Sequence, residues 1–198
     1  MKFRDIRRAV LLATVALGVT FGGKPADAAF IFTFEQVGAN VVGIGNGSLN
    51  TTALTRVLGA TPILGILRPE ISVLRTAGTV VVYGGLAGPV SFGPGGETAA
   101  SVSSGDAFLL QGIGGFVGTA FDYVSGAPLA NSLTFNGQTL ASLGLTPGTY
   151  VWSWGSGATA DSFTLDITPP AVSVPEPATL ALFGAGLLGL AATRRRKA

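Results

Sequence analysis

From residue 29 to residue 167 the chain is built of short apolar runs in which every second position is polar or small. Phe30, Phe32 and Phe34 alternate with Ile31, Thr33 and Glu35, and a turn at Gly38-Ala39-Asn40 leads into Val41-Val42. A period of two belongs to a strand, whose successive side chains point to opposite faces. Ile71-Ser72-Val73-Leu74 and Thr79-Val80-Val81-Val82-Tyr83 read as further strands. In Ser162-Phe163-Thr164-Leu165-Asp166-Ile167 the alternation puts Phe163, Leu165 and Ile167 inward. Tyr150, Trp152 and Trp154 fall on one face of another run. Leu133-Thr134-Phe135 meets Asn136-Gly137, a hairpin dipeptide because both residues tolerate positive φ. The stretch from Gly84 to Gly96 reads as loop around a short Val90-Ser91-Phe92 strand. Helical turns are expected only near Thr52-Ala53-Leu54 and Leu140-Ala141-Ser142-Leu143, the latter closed by Gly144. The pattern predicts an all-β body, an antiparallel β-sandwich.

Both ends break this pattern. Lys2, Arg4, Arg7 and Arg8 precede an apolar stretch from Ala9 to Phe21, and Ala26-Asp27-Ala28 fits an Ala-x-Ala cleavage site. Residues 1–28 therefore read as a signal peptide cut after Ala28, with an uncleaved anchor as the alternative. Arg7-Arg8 invites a twin-arginine export reading, for which the neighbours Ile6 and Ala9-Val10 are poor. After the body, residues 168–174 form a proline-rich, stiff linker. Residues 175–198 then combine Pro175-Glu176-Pro177, an apolar run from Ala178 to Ala192, and the basic stub Arg194, Arg195, Arg196 and Lys197. The prolines lack amide donors and hold an extended backbone that a processing enzyme can grip. As a helix the run would be roughly 22 Å long, short of a hydrocarbon core of about 30 Å. The cationic stub resists translocation, so it stays cytoplasmic and leaves the Pro-Glu-Pro side facing out. A permanent single-span anchor is the rival reading, in which Gly184, Gly186 and Gly189 permit close helix contacts.

This tail closely resembles the C-terminal sorting signal of the PEP-CTERM family, exported bacterial proteins handled by the membrane enzyme exosortase. In the body, Glu35 to Val42 followed by Gly45-Asn46-Gly47-Ser48-Leu49-Asn50 resembles the opening of many members. Tyr123 to Leu129 and Ser142 to Gly157 are similar to them as well. The resemblance implies a Gram-negative, exopolysaccharide-secreting host and passage through its inner membrane. It also implies exosortase as the partner that recognises Pro175, Glu176 and Pro177. It brings no established activity for the body.

Charge changes its meaning once the ends are set aside. The whole chain is +2, yet between Ala29 and Val174 only Arg56, Arg68 and Arg75 oppose seven carboxylates, leaving −4. Nucleic-acid binding loses its support, because the basic balance belongs to the two ends. The chain has no histidine and no cysteine, and its lysines are Lys2, Lys24 and Lys197. Ser-His-Asp catalysis, histidine or thiolate metal sites, and a Ser-Lys pair or Schiff-base lysine in the body are thereby excluded. No cofactor is predicted. Gly43-Ile44-Gly45-Asn46-Gly47 and Gly112-Ile113-Gly114-Gly115 lack the Rossmann spacing and the Walker lysine, so they read as turns and strand ends. Asp106, Asp122 and Asp161 form no calcium loop, and no metal site is predicted.

The expected function is that of a non-enzymatic, exported surface or matrix protein, with no catalytic residues. Two rivals stay open. Tyr150, Trp152 and Trp154, if exposed, would be a stacking platform for exopolysaccharide; buried, they would fill the core. A pair of body carboxylates brought together by the fold would make a glycosidase.

Overall fold

The computed structural model describes residues 29–170, together with Phe183 and Ala185, both helical. Among these residues there are thirteen strands and two short 3-10 turns, Pro69–Ile71 and Gly157–Thr159. The strands are β1 (Ala29–Val37), β2 (Asn40–Ser48), β3 (Thr55–Ile63), β4 (Ile66–Arg68), β5 (Val73–Arg75), β6 (Gly78–Gly84), β7 (Thr98–Ala99), β8 (Val102–Gly105), β9 (Phe108–Gln111), β10 (Phe116–Ala120), β11 (Pro128–Phe135), β12 (Gly148–Trp154) and β13 (Asp161–Ile167). They form a six-stranded sheet in the order β12-β13-β1-β2-β11-β8 and a seven-stranded sheet in the order β3-β6-β10-β9-β5-β4-β7. The mostly-β, two-sheet expectation for the body is met.

The core lies between the sheets. Phe30 on β1 packs on Phe108 of the other sheet with ring centroids 4.9 Å apart, and Phe108 stacks on Phe163 of β13 at 5.1 Å. Trp152 joins this cluster 5.6 Å from Phe163. Phe30, Phe32 and Phe34 are all fully buried.

What makes room for three neighbouring phenylalanines is the strand beside them. In the β1–β2 ladder Phe30, Phe32 and Phe34 stand opposite Gly47, Gly45 and Gly43. A Cβ on Gly45 would fall 2.7 Å from Phe30 Cζ and 2.7 Å from Phe32 Cδ2, and one on Gly43 2.5 Å from Phe34 Cε1. The rings lie over bare backbone. The glycine run from Gly43 to Gly47, expected as turns and strand ends, is therefore the middle and end of a long strand, with Val42 and Ile44 pointing to the opposite face.

Three expectations need correction. The sandwich is not wholly antiparallel, because β1 pairs with β13 in parallel, from Ala29↔Ser162 to Phe34↔Ile167. Parallel neighbours need a crossover, and here the crossover is the rest of the body. Asn136-Gly137 does turn, with Gly137 at φ +65°, but it closes no hairpin, since β11 pairs with β2 and β8. The chain instead enters hydrogen-bonded turns, Leu143 N–H to Thr139 O at 3.0 Å and Leu145 N–H to Leu140 O at 2.8 Å, that bury Leu140, Leu143 and Leu145. Finally, Val90-Ser91-Phe92 is not a strand. That loop touches β12 through a reciprocal Ala87–Ser153 bridge of 2.9 and 2.8 Å, covering part of an edge strand.

Gly45→Ala is expected to cost about 1–3 kcal/mol through overpacking. Ile44→Ala, at a half-exposed neighbouring position, should change stability by about 0.5 kcal/mol or less. Urea unfolding of the two variants side by side checks the contrast, and equal midpoints would contradict it.

Candidate functional site

The aromatic row on β12 is core. Trp152 is completely buried and donates from Nε1 to Pro89 O at 2.8 Å; Trp154 is 5% exposed and donates to Asn50 O at 2.8 Å. Tyr150 is half-buried, with its ring 6.1 Å from Phe92 and its hydroxyl donating to Thr146 O at 3.0 Å. Of the two readings, Trp152 and Trp154 take the buried one, and half-buried Tyr150 packs against the same core. The indole faces are spent on packing, because closing this end of the sandwich removes large apolar areas from water. The remaining sequence-predicted positions, Ala26, Ala28, Pro175, Glu176, Pro177, Arg194, Arg195, Arg196 and Lys197, lie outside the described residues. Among the described residues no helix is long and apolar enough to cross a membrane.

Several body carboxylates are engaged by neighbouring groups of the fold. Asp161 accepts from Asn50 N–H and Ser162 N–H, Asp106 Oδ2 from Ala130 N–H at 2.8 Å, and Asp166 Oδ1 from Thr149 Oγ1 at 3.2 Å. Glu70 pairs with Arg68 at 2.6 Å on the surface. Among the described residues no three acidic side chains gather as metal ligands would. The two glycine clusters hold no phosphate-loop geometry either. One is β2, and Gly114 and Gly115 form the positive-φ turn from β9 to β10.

Tyr123 ties one end of the sandwich together. Its hydroxyl accepts from Leu49 N–H at 2.8 Å and lies 3.0 Å from Leu49 O and 2.8 Å from Ala127 O as donor. Burial pushes the phenol above its ordinary value of 10.0, backbone hydrogen bonds at Leu49 and Gly126 pull it partly back, and the charges of Asp161 and Asp106 raise it again. The folded protein therefore holds this proton more tightly than the unfolded chain. Stability from Tyr123 is complete below the ordinary tyrosine range and is lost as pH rises through the elevated folded value.

Sequence reading missed a concavity on the seven-stranded sheet. The outer face of the seven-stranded sheet is apolar where solvent normally selects polar residues. Val80, Val82, Ala107 and Leu109 form a second buried cluster there, with Ile63 and Phe116 packed against it. Edge strand β3 carries two register shifts against β6, between Arg56 and Leu58 and between Leu58 and Thr61. Such bulges twist and bend a strand. A cleft of about 290 Å³ lies on this face between β3 and the strands beyond it in the sheet, walled by Leu58, Ile63, Val82, Leu109 and Phe116. Arg75, Gln111 and Thr61 supply polar groups to it, with Arg75 Nη2 donating to Gln111 Oε1 at 3.3 Å. The sequence signal was one arginine ending the apolar run Val73-Leu74-Arg75.

Two expectations follow. Trp152→Ala should cost about 3–5 kcal/mol, seen as a lower urea midpoint; an unchanged midpoint would return the indole to the surface. In an alkaline stability series, Tyr123→Phe should flatten the loss above the ordinary tyrosine range, and an unaltered slope would remove Tyr123 as its source.

No curated protein and no solved structure matches the chain. Residues 173–197 match the family model described as the PEP-CTERM protein-sorting motif. That motif implies an exported protein whose membrane-held precursor is sorted by exosortase. Over residues 173–197, then, the chain carries a PEP-CTERM protein-sorting motif.

Proposed function

We propose that this is a non-enzymatic surface or extracellular-matrix protein, delivered by exosortase processing at or near Pro175-Glu176-Pro177. The motif match over residues 173–197 carries the reading. In this scheme the signal peptide, cut after Ala28, directs export. The apolar run from Ala178 to Ala192 then enters the inner membrane, and Arg194, Arg195, Arg196 and Lys197 stop it there. Pro175, Glu176 and Pro177 act as substrate, held extended by the prolines for the enzyme to grip. The sorting chemistry belongs to the partner.

For the body, a supporting observation is chemical poverty. It offers neither imidazole, thiol nor amine side chain to a reaction, while Asp106, Asp161 and Asp166 bind neighbouring groups of the fold. A two-sheet domain with an aromatic core suits a component that must persist outside the cell. Its destination in this reading is the polysaccharide matrix.

Top-down mass spectrometry of the protein from an exosortase-bearing host should find a chain starting at Ala29 and ending near Pro177. Glu176→Ala should accumulate as uncut, membrane-associated precursor. A wild-type product still ending at Ala198, unaffected by deletion of the exosortase, would overturn the proposal.

A further inference from the structure

The cleft on the outer face of the seven-stranded sheet has a chemistry that sorting does not use. We propose that it binds a small amphipathic carboxylate, an apolar chain or ring with one acid group, whose carboxylate meets Arg75.

The argument begins with Arg75 itself. The β5–β9 register sets Arg75 opposite Leu109 and Val73 opposite Gln111, while Leu74 and Leu110 between them enter the main core. Arg75, Gln111 and Leu109 therefore share the outer face. A guanidinium presents five donors with no acceptor. Gln111 takes one of those donors, and Arg75 Nε is buried with no hydrogen-bond partner. Thr119 Oγ1 and Asn131 Oδ1 are buried without partners in the same way, so what calls for an anion is the charge of Arg75 at the wall of the cleft rather than this one atom. No carboxylate lines the cleft, and among the described residues the ion pair formed is Arg68 with Glu70, not Arg75.

The walls specify the rest of the ligand. Leu58, Ile63, Val82, Leu109 and Phe116 offer hydrocarbon and one aromatic ring, and the hydroxyl of Thr61 already donates to Gly59 O, so these walls would leave most of a sugar's hydroxyls unsatisfied. A volume of about 290 Å³ sits at the small end of ligand sites, which run from about 300 to 1,000 Å³. One cation asks for one anionic group. Because the body carries −4 overall, attraction of an acid to this face is local to Arg75. A carboxylate matches the guanidinium fork, and a single charged head on an apolar stem matches the order of polar and apolar positions in the cleft.

Equilibrium dialysis of the full chain in neutral maltoside micelles against sodium octanoate, with empty micelles as blank, tests this. Saturable uptake of one octanoate per chain is expected, weakened about tenfold or more by Arg75→Gln, the loss of a charge-assisted bond. Octanol, lacking the acid, should show no difference between wild type and that variant. Leu58→Glu, on the half-exposed rim strand β3, should also weaken octanoate by charge repulsion, and it decides the matter if Arg75→Gln unfolds. No saturable uptake, as when the chain's own tail or a second copy fills the cleft, overturns the proposal. Equal octanoate binding by wild type and both variants overturns it too.

Discussion

Three phenylalanine rings lying over two glycines organise this protein. Phe30, Phe32 and Phe34 each need a ring's thickness of space on the inner face of one sheet, and Gly45 and Gly43 provide it on the adjacent strand, while Gly47 opposite Phe30 lets the two backbones approach closely. From that block the packing spreads outward: Phe30 reaches Phe108 in the opposite sheet, Phe108 reaches Phe163, and Phe163 reaches Trp152. The sequence of contacts joins the first strand, the last two and the facing sheet in one aromatic layer. Glycine normally weakens a strand, through entropy and the lack of a side chain to pack. Here the neighbouring rings cover the bare backbone, and the weakness is offset by area removed from water.

How much of this could be read from the sequence depends on which side of each strand is filled. β1 and β13 are legible because Phe30-Phe32-Phe34 and Phe163-Leu165-Ile167 place large side chains at every second position. β2 is illegible for the converse reason. Its inward positions are Val41 and glycines, so its visible apolar residues, Val42 and Ile44, point to the outer face. β9 and β10 hide differently: with apolar residues on both faces, Phe108-Leu109-Leu110 has no alternation to detect. Asn136-Gly137 supplied the right local turn and the wrong partner, since dipeptide chemistry sets φ but not which strand lies next in space. The cleft is further from view, because its walls come from β3, β6, β9 and β10 and its polar group from β5. Only pairing register brings those residues together.

Body and tail answer to different constraints. The tail is legible as a linear pattern because a processing enzyme and a bilayer both read linear patterns: prolines, an apolar length, a basic stop. The body has to satisfy itself. Asp106 and Asp161 hold the backbone of neighbouring strands and loops, Tyr123 closes one end through Leu49 and Ala127, and its tryptophans are consumed by packing. Residue types that advertise chemistry in a sequence thus serve architecture here, whereas Arg75, inconspicuous in the chain, stands out once its surroundings are known.

The parallel seam between β1 and β13 has a mechanical consequence. Because the two strands run the same way, Ala29 lies at one pole of the seam and Ile167 at the other. Tension drawn between those poles runs along the strands and stresses their hydrogen bonds together, in shear, where an antiparallel pair pulled from adjacent ends would peel open rung by rung. A domain stitched in this way resists being stretched lengthwise.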